Sequence, residues 1–384
     1  MSKKSENPLV PNSLLNCLIK ITDPRMDRTR QHKLIDIMVI GLCTMITVGD
    51  HFTDMEDFGN YKHDWLKTFL ELPNGVPSHD TFNRVFSAID PEIFLECFIG
   101  WVAGLCTSLD NEIVAIDGKA LRRSLNQGEG IPYIVSAWAV KRGLALGQVK
   151  VDEKSNEITA IPKLLEVLEL EGCIVTIDAM GCQKSIAANI IDTKADYVLA
   201  LKGNHSVVHE EFVDYFEELI PVGADKNHNM PEGMAFYETV EKGHGRIETR
   251  RYWHTKDIDW FADKGLWKGF KSVGMVESTR EIGDKKSMER RLFISSLKLN
   301  AKRFAEAVRG HWGVENNLHW SLDVIFGEDQ SRARDKYAAQ NLATMRRMII
   351  NILKKEETKK ISMRRKKNAA GMDEKYLKLL LGII

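Results

Sequence analysis

The spacing of hydrophobic positions changes once along the chain, near residue 111. Before that point, apolar residues recur at helical spacing, as in the uncharged stretch from Ile37 to Val48. Asp90 followed by Pro91 predicts a helix start, because aspartate caps helices and proline suits the first helical position. The pattern predicts an all-helical N-terminal domain over residues 1–107.

From residue 111 onward, short apolar runs predict strands that alternate with helices. Three strands are predicted at 112–120, 133–140 and 144–151, followed by a helix, a strand at 173–179, a helix and a strand at 196–201. This order is that of a ribonuclease-H-like α/β core. Four more strands are predicted between 236 and 297, and we interpret 206–298 as a β-rich insertion. The core would then span 108–355, and 356–384 would form a basic C-terminal tail.

Two of the predicted strands carry an aspartate to their ends. Asp117 follows the apolar run Val114-Ala115-Ile116, and Asp178 follows Ile174-Val175-Thr176-Ile177. Ligands bind at the carboxyl ends of strands in open α/β sheets, so we expect both carboxylates at one sheet edge. A third carboxylate lies on a helix predicted after the insertion. Four polar residues share one face of that helix at four-residue spacing: His311, Glu315, His319 and Asp323.

Three carboxylates at one site predict a divalent-metal centre. Crowded carboxylates raise each other's pKa unless cations neutralise them. Mg²⁺ prefers hard oxygen ligands, and two such ions about 4 Å apart support in-line phosphoryl transfer. We therefore predict two Mg²⁺ (or Mn²⁺) ions, with Asp117 bridging them and Asp178 and Glu315 each holding one.

The same residues also admit plainer interpretations. An aspartate at a strand end is often a turn or helix cap, and a lone helical glutamate usually faces solvent. His311, Glu315 and His319 could instead bind zinc from one helix, although they do not form the H-E-x-x-H pattern.

Composition places the chain among ordinary globular proteins. Its 384 residues are 43% hydrophobic and 28% charged, with a formal net charge of zero. The six cysteines form no C-x-x-C pair and are expected to be reduced core residues. The apolar stretches are too short to span a bilayer, and the polar N-terminus resembles no signal peptide. We expect a cytoplasmic protein without a membrane partner.

Basic residues surround the predicted carboxylate site and suggest nucleic acid as a partner. The segment from residue 351 to the end carries ten Lys or Arg against four Asp or Glu, although a solvated charged end would look the same. A predicted hairpin tip at 242–246 combines glycine with positive charge, and basic edges on the N-terminal domain offer a further surface. The predicted DNA contacts are Lys119, Arg122, Arg123, Lys202, Asn204, His244, Arg246, His311 and His319.

Longer motifs resemble a known family over nearly the whole chain. They are Ile116-Asp117-Gly118-Lys119-Ala120-Leu121-Arg122, Asn156-Glu157-Ile158-Thr159-Ala160-Ile161-Pro162, Asp178-Ala179-Met180-Gly181-Cys182-Gln183, Lys202-Gly203-Asn204, His244-Gly245-Arg246-Ile247-Glu248 and His311-Trp312 through Glu315-Asn316. On these segments the chain resembles the H-repeat-associated family of bacterial insertion-sequence transposases, found beside Rhs elements.

The resemblance implies a DDE transposase, in which two Asp and one Glu hold Mg²⁺ on a ribonuclease-H-like core. Water cleaves DNA at the ends of the mobile element, and the freed 3′-hydroxyl then attacks target DNA. The implied partner is double-stranded DNA, bound by a homodimer or larger assembly in the nucleoid. Asp117 and Asp178 match the family motifs directly, and Glu315 matches the third position.

The chain departs from the signature of related cut-and-paste enzymes around Glu315. Those enzymes place Tyr, Arg and Lys where this chain has Val308, His311 and Leu322. Asp323 is therefore held in reserve as the third ligand. Two alternative functions follow the same resemblance: a catalytically degenerate DNA-binding relative, and a metal-dependent nuclease without strand transfer.

Overall fold

The computed structural model of the protein describes residues 13–106, 108–124, 131–151, 157–243, 245–334 and 337–383. Its N-terminal part is helical, as the apolar spacing predicts. The helices are α1 (Ser13–Ile19), α2 (Leu34–Thr47), α3 (Phe52–Tyr61), α4 (His63–Leu66), α5 (His79–Ala88) and α6 (Pro91–Leu105). Helix α6 begins at the predicted cap, where the Asp90 carboxylate accepts a hydrogen bond from the Glu92 amide at 2.9 Å.

A mixed nine-stranded sheet forms the rest of the scaffold. Its strands are β1 (Ile113–Ala120), β2 (Tyr133–Ala139), β3 (Leu144–Val151), β4 (Ile174–Ile177), β5 (Asp196–Leu201), β6 (Met234–Gly243), β7 (Arg246–Thr255), β8 (Ser272–Ile282) and β9 (Lys285–Ser295). Their order is β3-β2-β1-β4-β5-β9-β8-β7-β6. Strands β1, β4 and β5 run parallel, and the other pairings are antiparallel.

The strands predicted within the insertion extend this same sheet. β9 pairs with β5 from Val198 opposite Ser295 to Leu201 opposite Leu292. β8, β7 and β6 then follow by antiparallel hairpins. The far ends of these strands carry mostly exposed or half-buried residues, whereas the other ends of β7, β8 and β9 are buried and that of β6 is half-buried. The extension therefore projects one half of the sheet beyond the core.

Helices cover both faces of the sheet. The helices after β3 are α7 (Glu157–Val167), α8 (Lys184–Asp192), α9 (Ser206–Leu219), α10 (Ala301–Gly313) and α11 (Ala338–Lys355), followed by α12 (Met363–Met372) and α13 (Glu374–Leu381), which contact other helices. Gln148 of β3 donates a hydrogen bond to Thr344 of α11 at 2.8 Å, whereas the next residue back, Gly147, faces Leu164 of α7. Because neighbouring strand residues point to opposite faces, α11 and α7 lie on opposite sides of the sheet.

Residues 356–384, predicted to form a basic tail, include two packed helices. Leu377, Leu380 and Leu381 of α13 are buried at helical spacing. The Lys367 ammonium of α12 donates to the carbonyl of Met45 in α2 at 2.8 Å. The apolar stripe thus outweighs the net charge of this segment, because burial of the leucines docks it onto the N-terminal helices.

None of the described helices has, on its own, the length and hydrophobicity needed to cross a membrane. α2 and α3 meet those criteria only when they are taken together, and they are bent by 97° relative to each other.

A buried ion-pair network joins the N-terminal helices to β1 and α11. Arg347 and Glu328 are 0% and 1% exposed, and the guanidinium lies 3.1 Å from the carboxylate. Arg346 bridges Glu328 at 3.6 Å and Asp50 of the N-terminal domain. Burial alone would raise the pKa of Glu328, but the cations of Arg347, Arg346 and Lys119 together lower it.

We expect Arg347→Met to destabilise the protein strongly, because the substitution leaves Glu328 with less cationic compensation inside the protein. Breaking one side of a buried pair costs about 3–5 kcal/mol. Urea unfolding followed by circular dichroism measures the change. Adding Glu328→Gln to Arg347→Met should recover part of the lost free energy of unfolding, since it removes the buried carboxylate charge that Arg347 balanced. A loss below about 1 kcal/mol, the range of exposed pairs, would contradict the role assigned to this network.

Candidate active site

The parallel pairing of β1 with β4 sets the position of the two aspartates. Ile116 of β1 stands opposite Ile177 of β4, so the next residues, Asp117 and Asp178, are neighbours at the carboxyl edge. Thr176 and Asp178 point to the face of the sheet on which α10 lies, since the Thr176 hydroxyl contacts His311 of α10 at 3.3 Å. The structure therefore brings the two predicted carboxylates to one edge, as expected.

The loop that carries Asp178 is braced from two directions. One carboxylate oxygen of Asp178 accepts hydrogen bonds from the amides of Met180 and Gly181, at 3.1 and 3.4 Å. The Asn204 side chain donates to the carbonyl of Ala179 at 2.6 Å, and the His205 ring lies 2.6 Å from the carbonyl of Cys182. Asn204, predicted to contact DNA, is thus bound to the loop that presents Asp178.

Glu315 approaches the aspartates from a helix of unusual form. After α10 the chain continues as two π-helical segments, Val314–His319 and Ser321–Ile325. π-helical turns occur frequently at functional sites. Glu315 lines a cavity of about 150 Å³ together with Asp117 and Asp178. These three carboxylates are therefore the set that the structure brings together.

Burial and nearby negative charges disfavour the ionised forms of Asp117 and Glu315. Burial raises the pKa of Asp117 to about 7, and the negative charges of Asp178, Glu157 and Glu315 add to the rise, while a hydrogen bond with the Gly118 amide opposes it. Burial also raises the pKa of Glu315, against the nearby Arg291 cation. The site consequently favours cations.

The two histidines of the predicted stripe also face the sheet edge. The His319 ring lies 3.6 Å from the carboxylate of Asp117. Burial, aided by the nearby cations of Arg347 and Lys119, lowers the pKa of His319 to about 4, so the ring is neutral at pH 7. Burial also lowers the pKa of His311. These rings therefore contact the site as dipoles and do not neutralise its charge.

The chemistry of the donor set fits a divalent cation. Carboxylate oxygens are the ligands that Mg²⁺ prefers, and the raised pKa of Asp117 marks a carboxylate that lacks a neutralising partner. Within the described ranges, no three His, Cys, Asp or Glu side chains already form a metal-binding arrangement. The alternative zinc set gains no support, because His311 contacts Thr176 and His319 contacts Asp117.

Asp323, the reserve third ligand, belongs to a different cluster. Its carboxylate lies 2.7 Å from the ammonium of Lys119, which also contacts Asp329 at 2.6 Å and Glu328 at 3.7 Å. Lys119 is only 8% exposed. This geometry favours Glu315 as the third carboxylate, and it directs the predicted DNA contact Lys119 towards internal carboxylates.

The other predicted DNA contacts fall in several places. Arg122 and Arg123 are exposed just after β1, with the Arg122 guanidinium 3.6 Å from Asp329. Lys202 lines the carboxylate cavity. Arg246 lines an adjacent cleft and pairs with Glu248 at 3.0 Å. His244 lies outside the described residues.

Sequence reasoning missed one cation that lies directly at the site. Arg291 of β9 lines the carboxylate cavity and lies over the Trp312 ring, with its guanidinium carbon 5.0 Å from the ring centre. It also pairs with Glu289 at 2.8 Å. The available signal was the charged pair Arg290-Arg291 directly before the apolar strand end Leu292-Phe293-Ile294. Only the pairing of β9 with β5 reveals its place.

Comparison with known proteins identifies the class. Residues 109–352 match the family model of the transposase DDE domain, and residues 15–102 match that of its associated region. Two Escherichia coli relatives share most of the sequence. "H repeat-associated putative transposase YhhI" of strain K12 is 42% identical over 368 residues, covering 94% of this chain and 95% of the relative. "Putative transposase YncI" of O157:H7 is 41% identical over 375 residues, covering 96% and 94%.

The chain therefore belongs to the H-repeat-associated family of DDE transposases, as the sequence motifs predict. Among solved structures, the piggyBac transposase synaptic complex with hairpin DNA aligns with a TM-score of 0.40 and 11% identity, over 97% of this chain and 79% of the other. That likeness is too weak to define a shared fold.

We expect Asp117→Asn to stabilise the metal-free protein at pH 8. A folded-state pKa raised from 3.8 to about 7 means that stability from the protonated carboxyl is present below pH 4 and is lost as the pH rises through 7. The shift corresponds to at most about 4 kcal/mol. Thermal unfolding between pH 4 and 8 should show a gap between variant and wild type that closes near pH 4.

Asp284→Asn, at an exposed turn between β8 and β9, provides the matched control and should leave stability nearly unchanged at every pH. Added Mg²⁺ should narrow the gap between wild type and Asp117→Asn, because a bound cation stabilises only the ionised carboxylate. Equal stability of wild type and Asp117→Asn at pH 8 would contradict the charge repulsion described for this site.

Proposed function

We propose that this transposase cleaves DNA at the ends of its mobile element and joins the freed 3′-hydroxyl to target DNA, using divalent ions held by Asp117, Asp178 and Glu315. The observation that carries the proposal is the shared cavity of these three carboxylates. A metal-dependent nuclease without strand transfer would use the same three carboxylates. A catalytically degenerate relative would still bind DNA but would not cleave it.

The strand order supports a ribonuclease-H-like core. The first five strands have the order β3-β2-β1-β4-β5, in which only β2 runs antiparallel to the other four. This is the arrangement expected from three strands, a helix, a strand, a helix and a strand. The extension β9-β8-β7-β6 continues the sheet beyond β5 and brings Arg291 to the carboxylates.

The charged residues of the cavity, and two residues that brace the Asp178 loop, have roles in this reaction. When bound, divalent ions would lower the pKa of the attacking water or hydroxyl and stabilise the leaving oxygen of the phosphodiester. Asp117, Asp178 and Glu315 would hold those ions. Lys202 and Arg291 line the same cavity and would neutralise phosphate oxygens beside the scissile bond. Asn204 and His205 would keep the Asp178 loop fixed during the reaction.

A cleft beside the carboxylate cavity is the surface that we propose for DNA. It has a volume of about 570 Å³ and shares Arg291 and Trp312 with the carboxylate cavity. Five arginines line it, against two glutamates: Arg246, Arg250, Arg280, Arg291 and Arg309. They come from β7, β8, β9 and α10, so the sheet extension and the Glu315 helix form the cleft together. Guanidinium groups suit phosphate oxygens because they bind them in pairs of hydrogen bonds.

Several of these arginines contact glutamates. Glu248 contacts Arg246 at 3.0 Å and Arg280 at 3.7 Å, and also pairs with Arg250. Glu241 pairs with Arg309 at 3.0 Å. Such pairs hold the guanidinium groups in place at little cost, since partly exposed pairs contribute about 0–1 kcal/mol. Phosphates could therefore replace the carboxylates as partners.

We expect Asp178→Asn and Glu315→Gln each to reduce cleavage of DNA carrying the element's own ends by more than about 100-fold, because loss of even an outer-shell partner of a metal costs about 10–100-fold. Asp323→Asn provides the control and should retain cleavage. Gel analysis of 5′-labelled ends measures cleavage, and joining to a second labelled DNA measures strand transfer.

Equal cleavage by wild type and Asp178→Asn would overturn the metal-site assignment. Cleavage without any joined product would support the nuclease alternative. DNA binding without cleavage by the wild type would support the degenerate alternative.

We expect the double variant Arg280→Gln/Arg309→Gln to bind DNA more weakly and with a smaller dependence on salt. Each lost phosphate contact should reduce the slope of log affinity against log salt by about 0.9. Fluorescence anisotropy between 50 and 300 mM salt, roughly the range in which such contacts dominate, measures both quantities. Lys194→Gln, at the opposite end of the sheet and 72% exposed, should change neither. An unchanged slope in the double variant would exclude this cleft as the DNA surface.

A further inference from the structure

A fourth carboxylate approaches the aspartates from the opposite face of the sheet. Glu157 is the first residue of α7 and is only 9% exposed. Helix α7 packs on the face towards which Gly147 points, whereas Thr176 and Asp178 point towards α10. The Glu157 carboxylate nevertheless lies close to the aspartates, because one of its oxygens comes against the backbone of Gly118, the residue that follows Asp117.

Two neighbours hold Glu157 at this edge. The Tyr133 hydroxyl of β2 donates a hydrogen bond to its carboxylate. Gly118, the residue after Asp117, provides the space beneath the pair. A Cβ atom at position 118 would lie 2.5 Å from a Glu157 carboxylate oxygen and 2.2 Å from a ring carbon of Tyr133. Both approaches are possible only because residue 118 has no side chain.

The position of Glu157 requires an explanation, because a buried carboxylate beside Asp117 and Asp178 is energetically unfavourable. Burial raises the pKa of Glu157, and the Asp178 charge adds to the rise, while the single hydrogen bond from Tyr133 opposes it. Two buried carboxylates elsewhere in the described chain have cations beside them: Glu328 lies next to Arg347, and Glu356 pairs with Lys366 at 3.1 Å. No ion pair is found for Glu157 among the described residues. A cation bound at the edge would remove this imbalance.

We propose that Glu157 is a fourth acidic residue of the catalytic centre and helps to hold the divalent ion beside Asp117 and Asp178, with Tyr133 fixing the orientation of its carboxylate and Gly118 providing the space. The proposal rests on the metal site proposed above. It adds a residue from α7 to ligands that come from β1, the loop after β4 and the Glu315 helix.

The change in metal affinity caused by Glu157→Gln distinguishes a metal ligand from a residue that only repels the aspartates. If Glu157 only repels the aspartates, Glu157→Gln removes a negative charge and metal binding stays equal or becomes tighter. If Glu157 helps to hold the ion, Glu157→Gln weakens binding, and we expect a loss of at least about 10-fold in Mn²⁺ affinity. Tyr133→Phe should weaken binding by a smaller factor, because the carboxylate remains but loses its orienting hydrogen bond.

The experiment titrates the full-length protein with Mn²⁺ alone and follows free Mn²⁺ by electron paramagnetic resonance, without DNA. The Mn²⁺-induced rise in unfolding temperature is measured in parallel, since a purely structural role would lower the metal-free temperature but leave this rise intact. The chain supplies a matched control pair far from the site, in which the Tyr376 hydroxyl donates to Glu356 at 2.8 Å. Glu356→Gln and Tyr376→Phe should keep wild-type Mn²⁺ affinity.

Mn²⁺ affinity in Glu157→Gln equal to or above that of wild type would overturn the proposal. If Glu157→Gln does not fold, Tyr133→Phe and Glu157→Asp decide the question, because both retain the charge while changing the reach or orientation of the carboxylate. Unchanged affinity in both would also overturn it. A different result bears on the metal site itself: if Asp117→Asn binds Mn²⁺ as wild type does, the proposed three-carboxylate site fails whatever Glu157 does.

Discussion

The parallel pairing of β1 with β4 is the constraint on which the candidate active site depends. Both strands are apolar and buried up to the aspartate: β1 reaches Asp117 after four apolar residues, and β4 ends one residue before Asp178. The strand register then fixes the positions of the two aspartates. Because Ile116 lies opposite Ile177, Asp117 and Asp178 are neighbours. Their closeness is unfavourable without a cation. The fold therefore holds a repulsive cluster in place through hydrophobic pairing that lies elsewhere along the same strands.

The protein neutralises one group of acids through internal ion pairs and leaves another without such pairs. Lys119 lies on the same strand as Asp117 but contacts Asp323, Asp329 and Glu328. Arg346 and Arg347 balance the rest of that network. Among the described residues, Lys202 and Arg291 are the Lys and Arg side chains that line the cavity of the three carboxylates. This division explains how one helical region can carry both Asp323, which fixes structure, and Glu315, which faces the cavity.

Periodicity predicted much of this architecture, because it reports burial. In the described part of the chain, the nine strands, the N-terminal helices and the neighbouring positions of Asp117 and Asp178 agree with the apolar spacing and strand order of the sequence. Contacts distant in sequence could not be predicted in this way. The pairing of β9 with β5, which places Arg291 at the site, depends on the tertiary fold. So does the burial of Lys119, which from sequence looked like a free cation beside Asp117. The π-helical turns around Glu315 have no periodic signature, and the charge of the C-terminal segment concealed its apolar stripe.

Gly118 is required for a steric reason and not because the chain turns there. Glycine after a strand aspartate indicates a turn, yet β1 continues through Gly118 to Ala120, and Gly118 is not among the glycines with positive φ. Backbone freedom therefore does not explain it. What the position requires is the absence of a Cβ atom, because the Tyr133 ring and the Glu157 carboxylate occupy that space. The Asp-Gly pair is best understood as one part of a site that both faces of the sheet build, with the aspartate on one face and the glycine admitting a carboxylate from the other.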